Sequence, residues 1–448
     1  MKRLIHQYDF WYGALRSYVK IYLFTFYDKI TVVGKEKIPK GKPIIFAINH
    51  QNALMDPMAV LGNLKGQPVF MARADIFQSK VIAKILHALK ILPIFRIRDG
   101  RKNLQNNDAV FEEAIGVLQA KKILAILPEG NHFGERRLRA LKKGIARIAF
   151  QAEERNNFEL DVQIVPVGLD YSHYINFGAD LLVNFGDPFP INKYKNLYLE
   201  NPQKGMNNFL EELKQKMIPQ MLNINDSENY NEIEALKDIF VHHLLANREL
   251  QHNHKKIVDK SQEISNKVIE LKNASQNEFE RLGKTALEIK DGIREMGIRY
   301  WVLAHKKYNW IGIILSYILL IALFPFFVFG FATNFIPFYL PVVATRKIKD
   351  PQFVSSIRFA ASIITFTLFY LTYIIVLLVF IEPWPLAIGI MVSIFLFGIL
   401  SFRYFIGFKK TGVKMRVNIW KIKKNRNWLD LKQKWDATVA ELTKIIER

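Results

Sequence analysis

Ile45-Phe46-Ala47-Ile48-Asn49-His50-Gln51-Asn52-Ala53-Leu54-Met55-Asp56-Pro57 is the stretch from which the fold is legible. Its first part, beginning at Pro43 and running to Ile48, is uninterrupted apolar sequence of the length of a buried strand. The run then breaks into Asn-His-Gln-Asn, residues that favour a turn or a helix start. A histidine at the end of a core strand is held rigidly yet can face a cleft. An acid, Asp56, follows with five residues between. Imidazole is a good general base near neutral pH, and a carboxylate on its other nitrogen fixes tautomer and orientation. An ideal helix would put position i+6 about 240° away in azimuth. A His50–Asp56 contact therefore requires a turn inside the stretch, which Asn52 and Pro57 favour. Taken alone, His50 reads more readily as a satisfied surface histidine capping a helix.

Ile123-Leu124-Ala125-Ile126-Leu127-Pro128-Glu129-Gly130-Asn131-His132 repeats the pattern, an apolar strand breaking into a Pro-Glu-Gly turn. Further candidate strands lie at 31–33, 68–72, 91–95, 162–167 and 181–185. Helical stretches alternate with them near 57–64, 78–90, 103–121, 140–155 and 205–223. This alternation predicts an α/β domain with a mixed, mostly parallel sheet flanked by helices. Ligands of such sheets sit beyond strand ends.

The two stretches together resemble the glycerolipid acyltransferase family, the lysophosphatidate and glycerol-3-phosphate acyltransferases. That family carries an Asn-His…Asp block, an Arg block, a Phe-Pro-Glu-Gly block and a Val-Pro block, in that order. Here they stand as Asn49-His50…Asp56, Pro93-Ile94-Phe95-Arg96, Leu127-Pro128-Glu129-Gly130 and Ile164-Val165-Pro166-Val167-Gly168. The commonest family pattern has four residues between His and Asp; five looks like the branch that acylates glycerol-3-phosphate or dihydroxyacetone phosphate. Asn131-His132 follows Gly130 where Thr-Arg is more usual. The resemblance implies transfer of a fatty acyl group from acyl-CoA or acyl-carrier protein, as co-substrate, to a glycerophosphate hydroxyl. His50 would be the general base and Asp56 its orienting acid. Asn49, Arg96, Glu129, Gly130 and Pro166 would bind substrate. Arg96 suits phosphate through its planar fork. Glu129, unable to bind phosphate itself, would hold a basic residue or a glycerol hydroxyl. No cofactor and no metal are implied.

The 448 residues exceed one ordinary domain, half of them are apolar, and the formal charge is +22. Base combined with long apolar runs favours an anionic membrane surface over nucleic acid, for which no recognition module is present. The absence of cysteine excludes disulfides and a cysteinyl acyl-enzyme. The first thirty residues lack the uninterrupted apolar core of a secretory signal. They read instead as an amphipathic interfacial helix, with Trp11, Leu15, Tyr18, Val19, Tyr22 and Phe26 at helical spacing. The acyltransferase domain is expected at 31–224. Arg136, Arg137, Arg139, Lys142 and Lys143 form a basic run suited to carrier protein, coenzyme A phosphates or headgroups. Residues 225–305 read as a helical linker, partly coiled-coil-like, and the 264–300 seam as a homodimer contact. His242, His243, His252 and His254 cluster there without matched carboxylate spacing for a metal.

Residues 306–408 form the transmembrane region. Ile357–Ile381 and Trp384–Phe405 are each long enough to span, which takes about 20 residues. Pro325, Gly330, Asn334, Pro337 and Pro341 interrupt the 310–344 segment, which predicts two short helices or a re-entrant hairpin. Bases near 306, 346 and 409 place those ends, and the catalytic domain, on the cytoplasmic side of a multi-pass protein. The tail 409–448 is basic. Rival readings are acylation of another acceptor such as an ornithine-type lipid, a non-catalytic lipid-binding scaffold, and a transporter, the last lacking a nucleotide-binding Gly loop.

Overall fold

The computed structural model describes residues 4–77, 79–95, 106–305 and 307–446. They form two compact units, Met1–Asn225 with Ile348–Ser356, and Asp226–Lys347 with Ile357–Arg448.

The first unit opens with α1 (Phe10–Phe26), capped by the Asp9 side chain on Tyr12 N, and passes directly into β1 (Tyr27–Val33). The amphipathic stretch expected to run to residue 30 thus stops at Phe26. Tyr27 and the β-branched run Ile30–Val33 instead pair with β7 in the sheet. Then come β2 (Ile44–Ile48), α2 (Met55–Asn63), β3 (Val69–Arg73), α3 (Lys80–Ala88), β4 (Ile91–Ile94), α4 (Asn106–Gln119), β5 (Ile123–Ile126), α5 (Gly144–Glu154), β6 (Gln163–Tyr171), β7 (Ala179–Phe185), β8 (Phe189–Pro190), α6 (Lys195–Glu200) and α7 (Pro202–Met217). The strand order is β1-β7-β6-β2-β5-β3-β4, with β8 on β6. Among the described residues, only the β6 pairings with β7 and β8 are antiparallel. This is the mixed, mostly parallel sheet that the alternation predicts. Its centre is β2, all five residues buried, as expected of a strand flanked by parallel neighbours and covered on both faces.

Helix α1 turns Tyr12, Leu23 and Phe26 inward and leaves Phe10, Trp11, Leu15, Ile21 and Phe24 exposed, Trp11 at 78%. Its Arg16 donates to the carbonyls of Leu61, Leu64 and Gly66. A guanidinium there satisfies unpaired acceptors at the end of α2.

The second unit contains α8 (Tyr230–Ala246), α9 (His254–Ala274), α10 (Gln276–Glu295), α11 (Tyr300–Ala304), α12 (Trp310–Ala344), α13 (Pro351–Phe380, from residue 357 onward), α14 (Trp384–Ile422) and α15 (Arg426–Ile446). The seam Ile264, Val268, Phe279, Leu282, Ala286, Ile289 and Ile293 is buried within this one chain, with α10 packed on α8, α9 and α15. Trp428 and Trp435 of α15 fill the same core.

Helices α12, α13 and α14 are long and apolar enough to cross a membrane, and at most 17% of each apolar window is buried within the protein. The 310–344 segment departs from expectation: it is one 35-residue helix with Pro325, Pro337 and Pro341 inside it, not two short helices or a re-entrant hairpin. A proline deprives the carbonyl four residues earlier of its donor. For Pro337 that carbonyl is Thr333 O, which accepts from Tyr373 Oη at 2.7 Å. For Pro341 it is Pro337 O, which accepts from Thr365 Oγ1 at 2.8 Å. Neighbouring hydroxyls thus re-satisfy these two freed carbonyls, and the helix continues. Gly330 allows α12 to meet α14, since a Cβ there would lie 2.0 Å from Phe397 O.

Candidate active site

The site is built where β2 ends. Asn49 N donates to Val167 O, and the Asn49 side chain doubles the bond: Leu169 N donates to Oδ1 at 2.6 Å and Nδ2 to Leu169 O at 3.1 Å. Asn49, expected to bind substrate, therefore spends its polar atoms holding β2 to β6 and is wholly buried. It fixes the position from which His50 projects, leaving that ring 14% exposed.

Residues 51–54 then turn, with Met55 N donating to Asn52 O and Ala53 at φ 39°. The turn brings Asp56, in the first turn of α2, back to His50 across the six-residue step that a helix would forbid. His50 Nδ1 and Asp56 Oδ2 lie 2.8 Å apart. The same oxygen accepts from Gln51 N and Asn52 N, each at 2.7 Å, and Oδ1 accepts from Tyr171 Oη at 2.7 Å. Burial, and next the Asp56 charge, push the Tyr171 hydroxyl far above its usual range, so it stays a donor. Asp56 is fully buried and surrounded by donors, as a buried carboxylate must be. Facing the Asp56 carboxylate, Nδ1 is the donor, which in the neutral imidazole leaves Nε2 its lone pair.

Glu129 clasps the same strand end from β5. Its Oε1 accepts from His50 N at 2.8 Å, and Oε2 from Arg139 N at 3.1 Å and Arg139 Nε at 3.2 Å. Phe133 N completes the clasp on His50 O at 3.3 Å. Burial pushes the Glu129 carboxyl above its ordinary value, against the lowering effect of these donors. Gly130, at φ +69°, closes the Pro-Glu-Gly turn onto Leu127 O in a conformation that favours glycine. Of the two expected partners, a basic residue or a glycerol hydroxyl, the structure places Arg139 on Glu129. Its Nη2 is buried with no protein partner. Elsewhere in the basic run, Arg136 donates to Asp170 and Tyr171 O. Pro166 is buried inside β6 opposite Ala47, a framework position. Arg96 lies outside the described residues.

Three residues were not singled out from sequence. Tyr171 lies past the point where the strand was expected to stop; β6 runs on because residues 167–171 pair antiparallel with β7. His132 sits with its ring centroid 5.5 Å from that of His50, edge-on at 86°. Its one sequence signal is its place in the unusual Glu-Gly-Asn-His run. Asp350 Oδ2 lies 3.2 Å from His132 Nε2, and nothing in sequence joins the two. Among the described residues no group of three or more His, Asp or Glu is placed to hold a metal.

An acyltransferase family model matches residues 29–170, which hold every residue of this site except Tyr171 and Asp350. Residues 29–170 thus form an acyltransferase-family domain. The domain is similar to glycerol-3-phosphate O-acyltransferase 2 of Saccharomyces cerevisiae, 24% identical over 30% of this chain and 18% of that protein. It is also similar to a 1-acyl-sn-glycerol-3-phosphate acyltransferase of Borreliella burgdorferi, 26% identical over 38% of this chain and 68% of that one. The chain thus spans about a fifth of the yeast relative and about two thirds of the bacterial one. Among solved structures, the 1-acyl-sn-glycerophosphate acyltransferase PlsC of Thermotoga maritima aligns at 20% identity and a TM-score of 0.31, over 45% of this chain and 79% of that one.

Proposed function

We propose that the protein transfers a fatty acyl group from a thioester donor, acyl-CoA or acyl-carrier protein, to a free hydroxyl of glycerol-3-phosphate or its 1-acyl derivative. The observation that carries this reading is His50 held between Asp56 and Glu129, with Nε2 left to accept a proton. The acceptor O–H donates to His50 Nε2. Its oxygen attacks the thioester carbonyl while His50 takes the proton, and Asp56 steadies the imidazolium. The tetrahedral intermediate then re-forms its C=O, the C–S bond breaks, and the thiolate takes the proton from His50. The thiol is a good enough leaving group that no second acid is required.

The acceptor phosphate needs fixed positive charge. Arg96 is assigned that role by its place in the family pattern, and Arg139 joins it because Nη2 has no protein partner. The names of the yeast and bacterial relatives support both glycerophosphate acceptors. The chain crosses the bilayer more than once, with the catalytic unit on the cytoplasmic side. Arg346 and Lys347, just before the 348–356 segment of that unit, and Lys349 within it, support this by the positive-inside rule. A cysteine placed at 347 in this cysteine-free chain should react with an impermeant maleimide only in inside-out vesicles.

The deciding assay gives purified protein labelled acyl donor with glycerol-3-phosphate or lysophosphatidate. His50→Ala should lower kcat/KM about 10²–10⁴-fold with the thermal melt unchanged. Turnover that survives the substitution would remove His50 as the base. Arg139→Ala should raise KM for the phosphorylated acceptor and leave KM for the donor; an equal rise in both would remove its phosphate role.

A further inference from the structure

The catalytic unit is not one continuous piece of chain. Ile348–Ser356, which follows α12 in sequence, belongs to it. Five residues of this short segment touch the His50 neighbourhood. Asp350 Oδ2 pairs with His132 Nε2 at 3.2 Å. The Phe353 ring stands edge-on to the His132 ring, 4.6 Å between centroids. Ser355 Oγ donates to Asn52 Oδ1 at 2.7 Å, and Leu54 N donates to Ser356 Oγ at 3.0 Å. Gln352 lies against Gly134, where an added Cβ would come within 2.8 Å of its Nε2.

These contacts divide into two sets. Ser355 and Ser356 hold the 51–54 turn, which delivers two backbone N–H groups to Asp56. Asp350 and Phe353 hold His132, whose ring edge in turn abuts His50. The His50 imidazole is thus fixed at Nδ1 by Asp56, and its ring is packed by His132. Phe353, His132 and His50 form three successive near-perpendicular rings, a favourable aromatic arrangement. A carboxylate on one imidazole nitrogen fixes the orientation of that ring too. Burial, the largest influence, lowers the His132 pKa against the opposing pull of Asp350, so the ring that meets His50 is neutral. A neutral second ring packs the base without repelling the imidazolium that forms in the reaction.

We infer that His132 and Asp350 are positioning residues for acyl transfer, and that 348–356 is a strap whose docking aims His50 at the acceptor hydroxyl. A small misplacement of a base costs much: a shift of about 1 Å can cost about 10²-fold in rate. The inference rests on the acyl-transfer reading for its kinetic arm only.

The test uses the full chain in detergent or vesicles. Asp350→Ala and His132→Phe should each lower kcat roughly 10–100-fold, with little change in donor KM. The double variant should be no worse than the poorer single one, because both act through one contact. Asp350→Glu should restore part of the rate, and Lys349→Ala, an exposed neighbour, should behave as wild type. Independently of turnover, histidine-selective NMR should show the His50 ring signals moved by Asp350→Ala and unmoved by Lys349→Ala. Crosslinking Gly134→Cys to Gln352→Cys with a short bifunctional thiol reagent should proceed in the wild-type background and fail with Asp350→Ala. Losses that multiply, full turnover in both single variants, or an unmoved His50 signal would each overturn the positioning role. A wild type without acyl transfer but with the moved signal would sink the proposed reaction and leave the strap standing.

Discussion

The two units bury polar groups by opposite means. The catalytic unit hides carboxylates: Asp56, Glu129 and Glu153 are almost fully covered. Among the described residues, the long helices of the second unit hide neutral polar groups, Asn334, Ser401, Thr411 and Asn418. The difference follows from what each backbone has left over. A turn at the end of a strand has spare N–H donors, and these converge on acceptors: Gln51 N and Asn52 N on Asp56, His50 N and Arg139 N on Glu129, Val162 N on Glu153. A helix uses its N–H groups internally, so a proline within it frees a carbonyl. Its supplements are therefore donors: Tyr373 on Thr333 O, Thr365 on Pro337 O, Asn334 on Gly330 O and Ile394 O, Ser401 on Phe327 O. At Asp56 and Glu129 the buried charge is met by several backbone donors at once, and there the candidate chemistry sits.

The strongest way to break this contrast is Asp56→Asn. If the buried charge serves catalysis, the carboxamide should lower kcat about 10³–10⁴-fold, since it can present an N–H to His50 and favour the wrong tautomer. Near-normal turnover would reduce Asp56 to an acceptor of structural hydrogen bonds. In the helical unit, Tyr373→Phe should cost about 1–2 kcal/mol, read from the midpoint of unfolding in mixed detergent. Pro337→Ala should rescue it by returning an N–H to Thr333 O; a rescue that fails means Tyr373 is not a substitute for the missing donor. The smallest effect is expected from pH. The His132 pKa lies below its ordinary 6.5 in the folded protein, so its contribution is present above that value and lost as pH falls through the lowered one. Asp350, which faces it, is held below the usual carboxylate range; burial raises it, but Gln352 N–H and His132 outweigh that. The positive charge of Arg73, and that of His50 when its ring is protonated, also lowers it. The difference in melting temperature between wild type and His132→Phe should shift against wild type on going from pH 7.5 to 5.5. A pH-independent difference would mean that His132 titrates as it does in the unfolded chain.

What the sequence disclosed, and what it withheld, follows the same physics. The apolar run Ile44–Ile48 has one explanation, a strand covered on both faces, and β2 is that strand. His50 and Glu129 each follow the end of such a run, so parallel neighbours were bound to bring them together. Tyr171 was hidden because Gly168 and Asp170 read as the end of a strand, while β7, not local propensity, extends it. The prolines of α12 read as breaks because their remedy, hydroxyls on α13, lies 28 and 40 residues from the carbonyls it serves. Asp350 was invisible for the same reason at a separation of 218 residues, in a segment whose own composition marks nothing.

The discontinuity of the catalytic unit bears on anyone cutting the gene. A fragment ending near Asn225 would retain the whole span matched by the family model. It would nevertheless lack the chain that supplies Phe353, Ser355 and Ser356. Such a piece would expose the 51–54 turn and the outer edge of His132 to water, and its inactivity would reflect the excision rather than the enzyme.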